Sequence, residues 1–125
     1  MPALPIIAIS IGDPNGVGVE IILKTFQDNS LFEQCIPVVY ANVDFVQKQQ
    51  LLFNTQVPLG LVEGAPKQGV LNIASIWQDT PEVAFGKQTA KAGVAAFESL
   101  PAAATAVQEG EADALVTAPI NKAAI

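Results

Sequence analysis

Apolar residues occur along this chain in two patterns, as short unbroken runs and as stripes with helical spacing. The run Ile6–Ile11 is almost wholly apolar and does not alternate with polar residues, which predicts a strand covered on both faces, as in a parallel sheet. Four later apolar runs, set between turn-forming residues, predict further strands at Pro37–Tyr40, Leu59–Val62, Val70–Ile73 and Ala112–Ala118.

Two apolar stripes predict helices in the first half of the chain. The first has apolar side chains at i, i+3, i+4 and i+7, namely Val19, Ile22, Leu23 and Phe26, with Glu20 and Lys24 as an i,i+4 pair on its polar side. The second is expected to begin at Asn42 as a cap and to end near Phe53. Its expected buried side chains are Phe45, Val46, Leu52 and Phe53. Between the two, Ser30 and Glu33 have the spacing of a capping box, which predicts a short helical turn.

A third and longer stripe precedes the last predicted strand: Gly93, Ala96, Phe97, Leu100, Ala103, Ala104 and Val107. Pro101 interrupts this stripe, and a proline costs roughly 3 kcal/mol in a regular helix interior. We therefore expect a kink at Pro101 or two abutting helices. The alternation of strands and helices predicts a single α/β domain over residues 1–125, with a mostly parallel sheet flanked by helices.

Composition excludes several classes of function. Twelve acidic residues against six lysines, with no arginine, give a net charge of −6, which argues against nucleic acid and anionic membranes as partners. Without histidine the chain cannot build His-based catalysis or a His-containing metal site. A single cysteine, Cys35, excludes an internal disulfide, and a buried, inert thiol is expected there. Neither a signal-peptide pattern nor an apolar run of membrane-spanning length is present, so we expect a soluble, cytoplasmic protein.

A glycine-rich segment follows the first predicted strand, with the spacing Gly12-x-x-x-Gly16-x-Gly18. Backbone N–H groups and the helix dipole favour an anion where such a segment enters a helix. The spacing differs from the G-x-G-x-x-G fingerprint of dinucleotide binding and from a P-loop. Asp13 would repel a phosphate, but it could accept a hydrogen bond from a substrate hydroxyl or ammonium group. The candidate binding residues are Gly12, Asp13, Asn15, Gly16 and Gly18; the alternative is a turn in which glycine permits positive φ angles.

The last predicted strand ends in a second polar segment, which holds Thr117, Asn121 and Lys122. In a parallel sheet this segment leaves the same edge as the glycine segment, and ligands of open α/β sheets bind at that edge. The two segments are therefore expected to face one crevice, where Lys122 would supply a positive charge for a phosphate or carboxylate. The alternative is a solvated lysine beside a helix that Asn121 caps.

Together these two segments resemble the 4-hydroxythreonine-4-phosphate dehydrogenase family. The resemblance rests on Ile9–Glu20, on Asp113–Lys122, and on Gly86-Lys87 and Ala92-Gly93 between them. It implies a fold like part of the isocitrate and isopropylmalate dehydrogenases, with NAD or NADP, a divalent metal (Zn, Mg or Co) and a homodimer. The implied substrate is a small phosphorylated hydroxy-amino acid, 4-phosphooxy-L-threonine. Its secondary alcohol is oxidised and the product loses carbon dioxide, in the biosynthesis of pyridoxal phosphate (vitamin B6).

The chain departs from that family in one respect. The family's metal ligands are histidines, and a Gly-His-Thr segment contacts its substrate, whereas this chain has no histidine. We therefore expect an N-terminal portion of a longer two-domain enzyme, inactive by itself, with no metal ligand and no catalytic residue assigned to it. Three alternatives stay open: a stand-alone module that binds a phosphorylated metabolite, another enzyme of this fold such as a phosphate acyltransferase, and an assembly role in which the sheet edge pairs with another copy.

Overall fold

The computed structural model describes residues 4–11, 18–75 and 90–118, with side chains in the last of these ranges described from Ser99 onward. Within these ranges five strands form one sheet: β1 (Ile6–Ser10), β2 (Ile36–Ala41), β3 (Leu59–Leu61), β4 (Leu71–Ser75) and β5 (Ala114–Thr117). Their order is β3-β4-β2-β1-β5, and every neighbouring pair is parallel. The five predicted strands and the α/β fold class are therefore confirmed, with small changes in strand bounds.

Helices cover both faces of this sheet. They are α1 (Gly18–Phe26), α2 (Val43–Phe53) and α3 (Ala90–Gln108), with a short 3-10 helix at Asn29–Glu33. On one face, Ile9 of the sheet belongs to the same buried cluster as Leu23 of α1 and Phe45 of α2. On the other face, Ala103 and Ala106 of α3 cluster with Ala8. The small side chains of this second cluster let α3 approach the sheet closely.

Successive strands are added on one side of β1 as far as β4, and the last strand is added on its other side. From β1 the chain passes through α1 to β2, and it returns after β4 through α3 to β5 on the other side of β1. The helix on the first path covers one face and the helix on the second path covers the other. The point between β1 and β5 is therefore the topological switch point, the place where open α/β sheets bind their ligands.

Side chains at the helix starts and along α1 confirm several local predictions. All four residues of the α1 stripe are buried, and full burial of such a side chain contributes roughly 1.5–3 kcal/mol. Lys24 pairs with Glu20, an exposed contact that adds little to stability. Asn42 caps α2, because its Oδ1 accepts a hydrogen bond from the Phe45 N–H at 2.8 Å.

Three local predictions are corrected in part. The predicted short helical turn forms as the 3-10 helix, but its cap is Asp28 rather than Ser30, since the Asp28 carboxylate accepts the Ser30 N–H at 3.1 Å. Leu52 is 58% exposed whereas Gln49 is only 2% exposed; the buried face of α2 centres near Gln49, and Leu52 falls at its edge in the last turn. α3 runs unbroken through Pro101, which excludes two abutting helices and leaves the kink as the remaining form of that prediction. In the described ranges, no helix has the length and apolarity needed to cross a membrane.

Candidate functional site

The carboxyl ends of β1 and β5 lie side by side at one edge of the sheet. β1 pairs with β5 as far as Ser10 and Thr117. The ladder continues one step further, where the Ala118 N–H donates to the Ser10 carbonyl at 3.0 Å. β1 leads into the glycine segment and β5 leads into the second polar segment. Both segments thus leave the sheet at the switch point, the edge at which ligands bind in this architecture.

Gly18, the first residue of α1, lies against the ends of both strands. A β-carbon built on Gly18 would overlap the carbonyl oxygen of Ile11 and would lie 2.9 Å from the Cβ of Ala118. The first obstacle is backbone, which cannot move aside as a flexible side chain can. Glycine therefore lets α1 begin at the junction of β1 and β5, with the positive end of its dipole at the carboxyl edge of the sheet.

Two of the eight candidate binding residues lie in the described part of the chain. Gly18 starts α1 at the switch point, and Thr117 is exposed at the end of β5, on the same edge. The other six, Gly12, Asp13, Asn15, Gly16, Asn121 and Lys122, lie outside the described residues. Their contacts with a substrate or cofactor stay predictions, as does the role of the two described residues in binding.

Ser99 of α3, which sequence reasoning missed, reaches this edge from the opposite face of the sheet. Its side chain is fully buried. Its Oγ accepts a hydrogen bond from the Ile11 N–H at 3.1 Å and donates one to the Tyr40 carbonyl at 2.7 Å. A signal for it was present in the sequence, because Ser99 precedes Ala103 of the predicted apolar stripe by four residues. A hydroxyl on such a stripe needs a buried partner.

An apolar groove of about 410 Å³ lies beside α1 on the other face. Ile7 and Ile9 of β1, Ile22 and Phe26 of α1 and Val116 of β5 contribute to its lining. Among the described residues, no charged side chain lines it. A phosphorylated ligand needs hydrogen-bond donors and positive charge, so this groove suits apolar side chains and not such a ligand.

Cys35 also lines the groove, and its thiol is poorly suited to catalysis. Burial raises the pKa of Cys35, which lowers the fraction of the reactive thiolate, and its Sγ lies 3.7 Å from the Leu31 carbonyl. This agrees with the expected inert thiol, although Cys35 is only half-buried. Across residues 4–11, 18–75 and 90–118, no three His, Cys, Asp or Glu side chains come together as a metal site would require. The described residues therefore bring no metal-ligand cluster together, and their one cysteine is a poor nucleophile.

An open parallel sheet, helices on both faces and a glycine-started helix at the switch point define an α/β protein of the doubly wound class. Within that class its family is shown by sequence. The family model described as pyridoxal phosphate biosynthetic protein PdxA matches residues 33–125, and the chain belongs to this family. The resemblance drawn from Ile9–Glu20 and Asp113–Lys122 is thereby confirmed.

Individual relatives agree with the family match. The chain is 37% identical over 118 residues to 4-hydroxythreonine-4-phosphate dehydrogenase of Bacteroides thetaiotaomicron, a match that covers 93% of this chain and 32% of that protein. It is 32% identical over 127 aligned positions to D-threonate 4-phosphate dehydrogenase of Cupriavidus necator, covering 98% of this chain and 38% of that protein.

Solved structures agree at the level of the fold. The crystal structure of a 4-hydroxythreonine-4-phosphate dehydrogenase from Burkholderia phymatum superposes with a TM-score of 0.86 at 29% identity, covering 98% of this chain and 38% of that one. The crystal structure of 4-hydroxythreonine-4-phosphate dehydrogenase from Klebsiella pneumoniae gives a TM-score of 0.81 at 28% identity, covering 96% of this chain and 38% of that one. The chain spans roughly a third of the length of these relatives.

Proposed function

We propose that this chain is the N-terminal α/β portion of a longer NAD- or NADP-dependent dehydrogenase of a small phosphorylated hydroxy acid, in pyridoxal phosphate biosynthesis. One observation carries the proposal: relatives 37% and 32% identical, over 93% and 98% of this chain, are named as dehydrogenases of such molecules. The substrate we favour is 4-phosphooxy-L-threonine. A cytoplasmic homodimer is part of the same proposal.

The carboxyl edge between β1 and β5 is the part of this chain that we assign to the substrate. There the α1 N-terminus offers backbone N–H groups and positive potential to an anionic group, at a point that Gly18 holds against both strand ends. We assign the contacts with substrate or cofactor to the residues of the two polar segments, Gly12, Asp13, Asn15, Gly16, Gly18, Thr117, Asn121 and Lys122. The function of these residues is to bind the substrate and hold its reacting carbon in one orientation, which by itself lowers the barrier.

A bound nicotinamide would supply the acceptor for the hydride of the secondary alcohol, whose hydroxyl proton would leave to solvent, and the β-keto acid formed in this way would then lose carbon dioxide. The divalent metal implied for the family does not fit this chain. Its expected ligands are histidines, of which there are none, and the described residues bring no alternative ligand cluster together. No step through a metal, and no general base, is therefore assigned to these 125 residues.

A second substrate is supported by the name of the relative from Cupriavidus necator. D-threonate 4-phosphate carries a hydroxyl at C2, where 4-phosphooxy-L-threonine carries an ammonium group. The two molecules share the phosphate and the alcohol next to C2, so the same edge can hold either. Discrimination between them depends on the group that faces C2, for which Asp13 is a candidate because a carboxylate favours the ammonium over the hydroxyl.

The test is to express the whole reading frame that encodes this chain and to follow reduction of the nicotinamide. Each of the two substrates is offered with NAD or NADP and with added Zn²⁺, Mg²⁺ or Co²⁺, and the 125-residue chain is assayed in parallel. We expect turnover by the longer product with at least one substrate and none by the 125-residue chain. A reading frame that stops after Ile125, or a folded longer product that reduces neither nicotinamide, would overturn the proposal and favour a stand-alone binding module.

A further inference from the structure

The hydrogen bonds between β1 and β2 follow the regular alternation of a parallel pair up to the end of β1. Ile36 N–H donates to the Pro5 carbonyl at 2.8 Å, and the register continues unbroken to Ser10↔Tyr40. Bonding groups recur at every second residue of a parallel strand. This register therefore predicts, as its next bond, one from the Ile11 N–H to the Tyr40 carbonyl.

The hydroxyl of Ser99 takes the place of that bond. The Ile11 N–H donates to Ser99 Oγ at 3.1 Å, and the Ser99 hydroxyl donates to the Tyr40 carbonyl at 2.7 Å. An oxygen atom cannot fit between an N–H and a C=O that are bonded directly, because that N···O distance is about 2.9 Å. The two strands must therefore part where Ser99 enters, while both buried backbone groups keep a partner.

The parting is confined to one side of β1. On the other side the ladder with β5 continues, since the Ala118 N–H donates to the Ser10 carbonyl at 3.0 Å. The end of β1 thus separates from β2 and stays with β5. Because the Ile11 carbonyl packs directly on Gly18, the position of Ile11 also determines where α1 begins.

The chemistry of Ser99 is unusual for a serine inside a helix. A helical serine commonly returns its hydroxyl hydrogen to a carbonyl of the preceding turn of its own helix. The fully buried hydroxyl of Ser99 instead donates its hydrogen to the backbone carbonyl of Tyr40, which lies on β2. A hydroxyl has one hydrogen to donate, so this use of it excludes the local bond.

We infer that Ser99 is a positioning residue for the proposed dehydrogenase. Its hydroxyl lies between β1 and β2 at the carboxyl edge and keeps the two strands apart there. In this way it determines the positions of the end of β1 and the start of α1, the two points that the proposed substrate-binding segment connects. The inference rests on the proposed function, since it adds to the same edge a residue that touches no substrate. Ser99 acts on the substrate only through the backbone of Ile11 and Gly18.

The kinetic test uses the longer product of the reading frame and compares Ser99→Ala with Ser99→Thr. Ser99→Ala removes the bridge, and we expect KM for the phosphorylated substrate to rise about tenfold, the usual order for a lost buried hydrogen bond, with a smaller change in kcat. Ser99→Thr keeps the hydroxyl and is expected to restore most of the affinity. Ser75→Ala, the same change at an exposed position at the end of β4, is the matched control and should match the wild type.

Hydrogen exchange of the 125-residue chain provides a readout that does not depend on activity. In Ser99→Ala we expect the Ile11 amide to exchange about tenfold faster, while the Ala118 amide, bonded to Ser10, keeps its wild-type rate. Unchanged protection of Ile11 would show that the hydroxyl does not hold the strand end, and would overturn the inference. So would faster exchange at Ile11 together with unchanged KM in an active enzyme. A wild-type product without turnover contradicts the proposed function and with it the positioning role, while exchange still decides whether Ser99 holds β1.

Discussion

Gly18 packs against the carbonyl oxygen of Ile11 so closely that no β-carbon fits between them. The contact joins the first residue of α1 to the residue that follows β1, across residues 12–17, which include two glycines in the sequence. Ala118, which follows β5, also packs on Gly18, with its Cβ 2.9 Å from the position that a methyl group on Gly18 would occupy. One glycine therefore sets the distance between the helix start and both strand ends at the switch point.

Replacing Gly18 with alanine should destabilise the chain by about 1–3 kcal/mol, the usual cost of overpacking. The main obstacle is a backbone carbonyl, so relief requires that α1 move away from β1. Unfolding in urea measures the change. Gly60→Ala is the control: there a β-carbon would meet the Cγ2 methyl of Val70 at 2.9 Å, a side-chain atom that can shift, and we expect a smaller loss. Equal stability of Gly18→Ala and wild type would contradict the tight contact.

Pro101→Ala should stabilise the chain, because Pro101 lies inside the unbroken helix α3. Proline has no N–H for the carbonyl of residue 97 and its ring crowds that carbonyl, at a cost of about 3 kcal/mol. Alanine also increases the conformational entropy of the unfolded chain, which lowers the free energy of unfolding by about 1 kcal/mol. A net gain in unfolding free energy of roughly 1–2 kcal/mol is therefore expected in thermal or urea unfolding. The exposed Thr105 supplies a control, Thr105→Ala, with little expected change. A loss of stability in Pro101→Ala would contradict this expectation.

Lys122→Ala in the longer product should weaken binding of the phosphorylated substrate. A charge-assisted hydrogen bond contributes about 1.5–3 kcal/mol, which corresponds to a rise in KM of roughly 10- to 100-fold. The effect should shrink at high salt, because screening already weakens the wild-type interaction. Lys48→Ala is the matched control, since Lys48 is exposed on α2 and pairs with Asp44 at 3.3 Å. Equal KM values for Lys122→Ala and wild type would favour the solvated-lysine alternative.

The parts of the fold that the sequence predicts are those determined by local pattern. The continuous apolar run Ile6–Ile11 gives an interior strand, and the stripe from Val19 to Phe26 gives an amphipathic helix. Asn42 caps α2 as its position before an apolar stripe suggests. In each case the signal is a periodicity or a side chain that acts within a few residues, so tertiary context does not change the outcome.

The parts that sequence reasoning missed depend on contacts between distant elements. Ser99 bonds Ile11 and Tyr40, which are 88 and 59 residues away. Asn72 is buried in β4 because its amide bonds the backbone of Pro37 and of Lys67. No local pattern specifies such partners, because a polar residue in an apolar stripe signals only that a partner is needed. The candidate site was predicted as two segments at one edge, and the pairing of β1 with β5 is the reason that both segments start from the same edge of the sheet.

The titration of Tyr40 links the stability of the chain to pH. Tyr40 is half-buried beside Ala8 and Ala106 on the α3 face of the sheet. Burial, and secondarily the negative charge of Glu111, raise the pKa of its phenol above the ordinary value of 10.0. The folded chain therefore binds the phenol proton more tightly than the unfolded chain. The resulting stabilisation is complete below the ordinary pKa and is lost as the pH rises through the raised value.

Absorbance of tyrosinate reports this titration without interference, since Tyr40 is the one tyrosine in the chain. The midpoint should be higher in the folded chain than in the chain unfolded by urea. Glu111→Gln should lower the folded midpoint part of the way, because it removes the charge and leaves the burial, whereas Glu109→Gln, the same change two residues away in sequence, should leave it in place. Tyr40→Phe should flatten the fall in unfolding free energy at alkaline pH. Coincident folded and unfolded midpoints would mean that the Tyr40 hydroxyl is solvated and that Glu111 does not act on it.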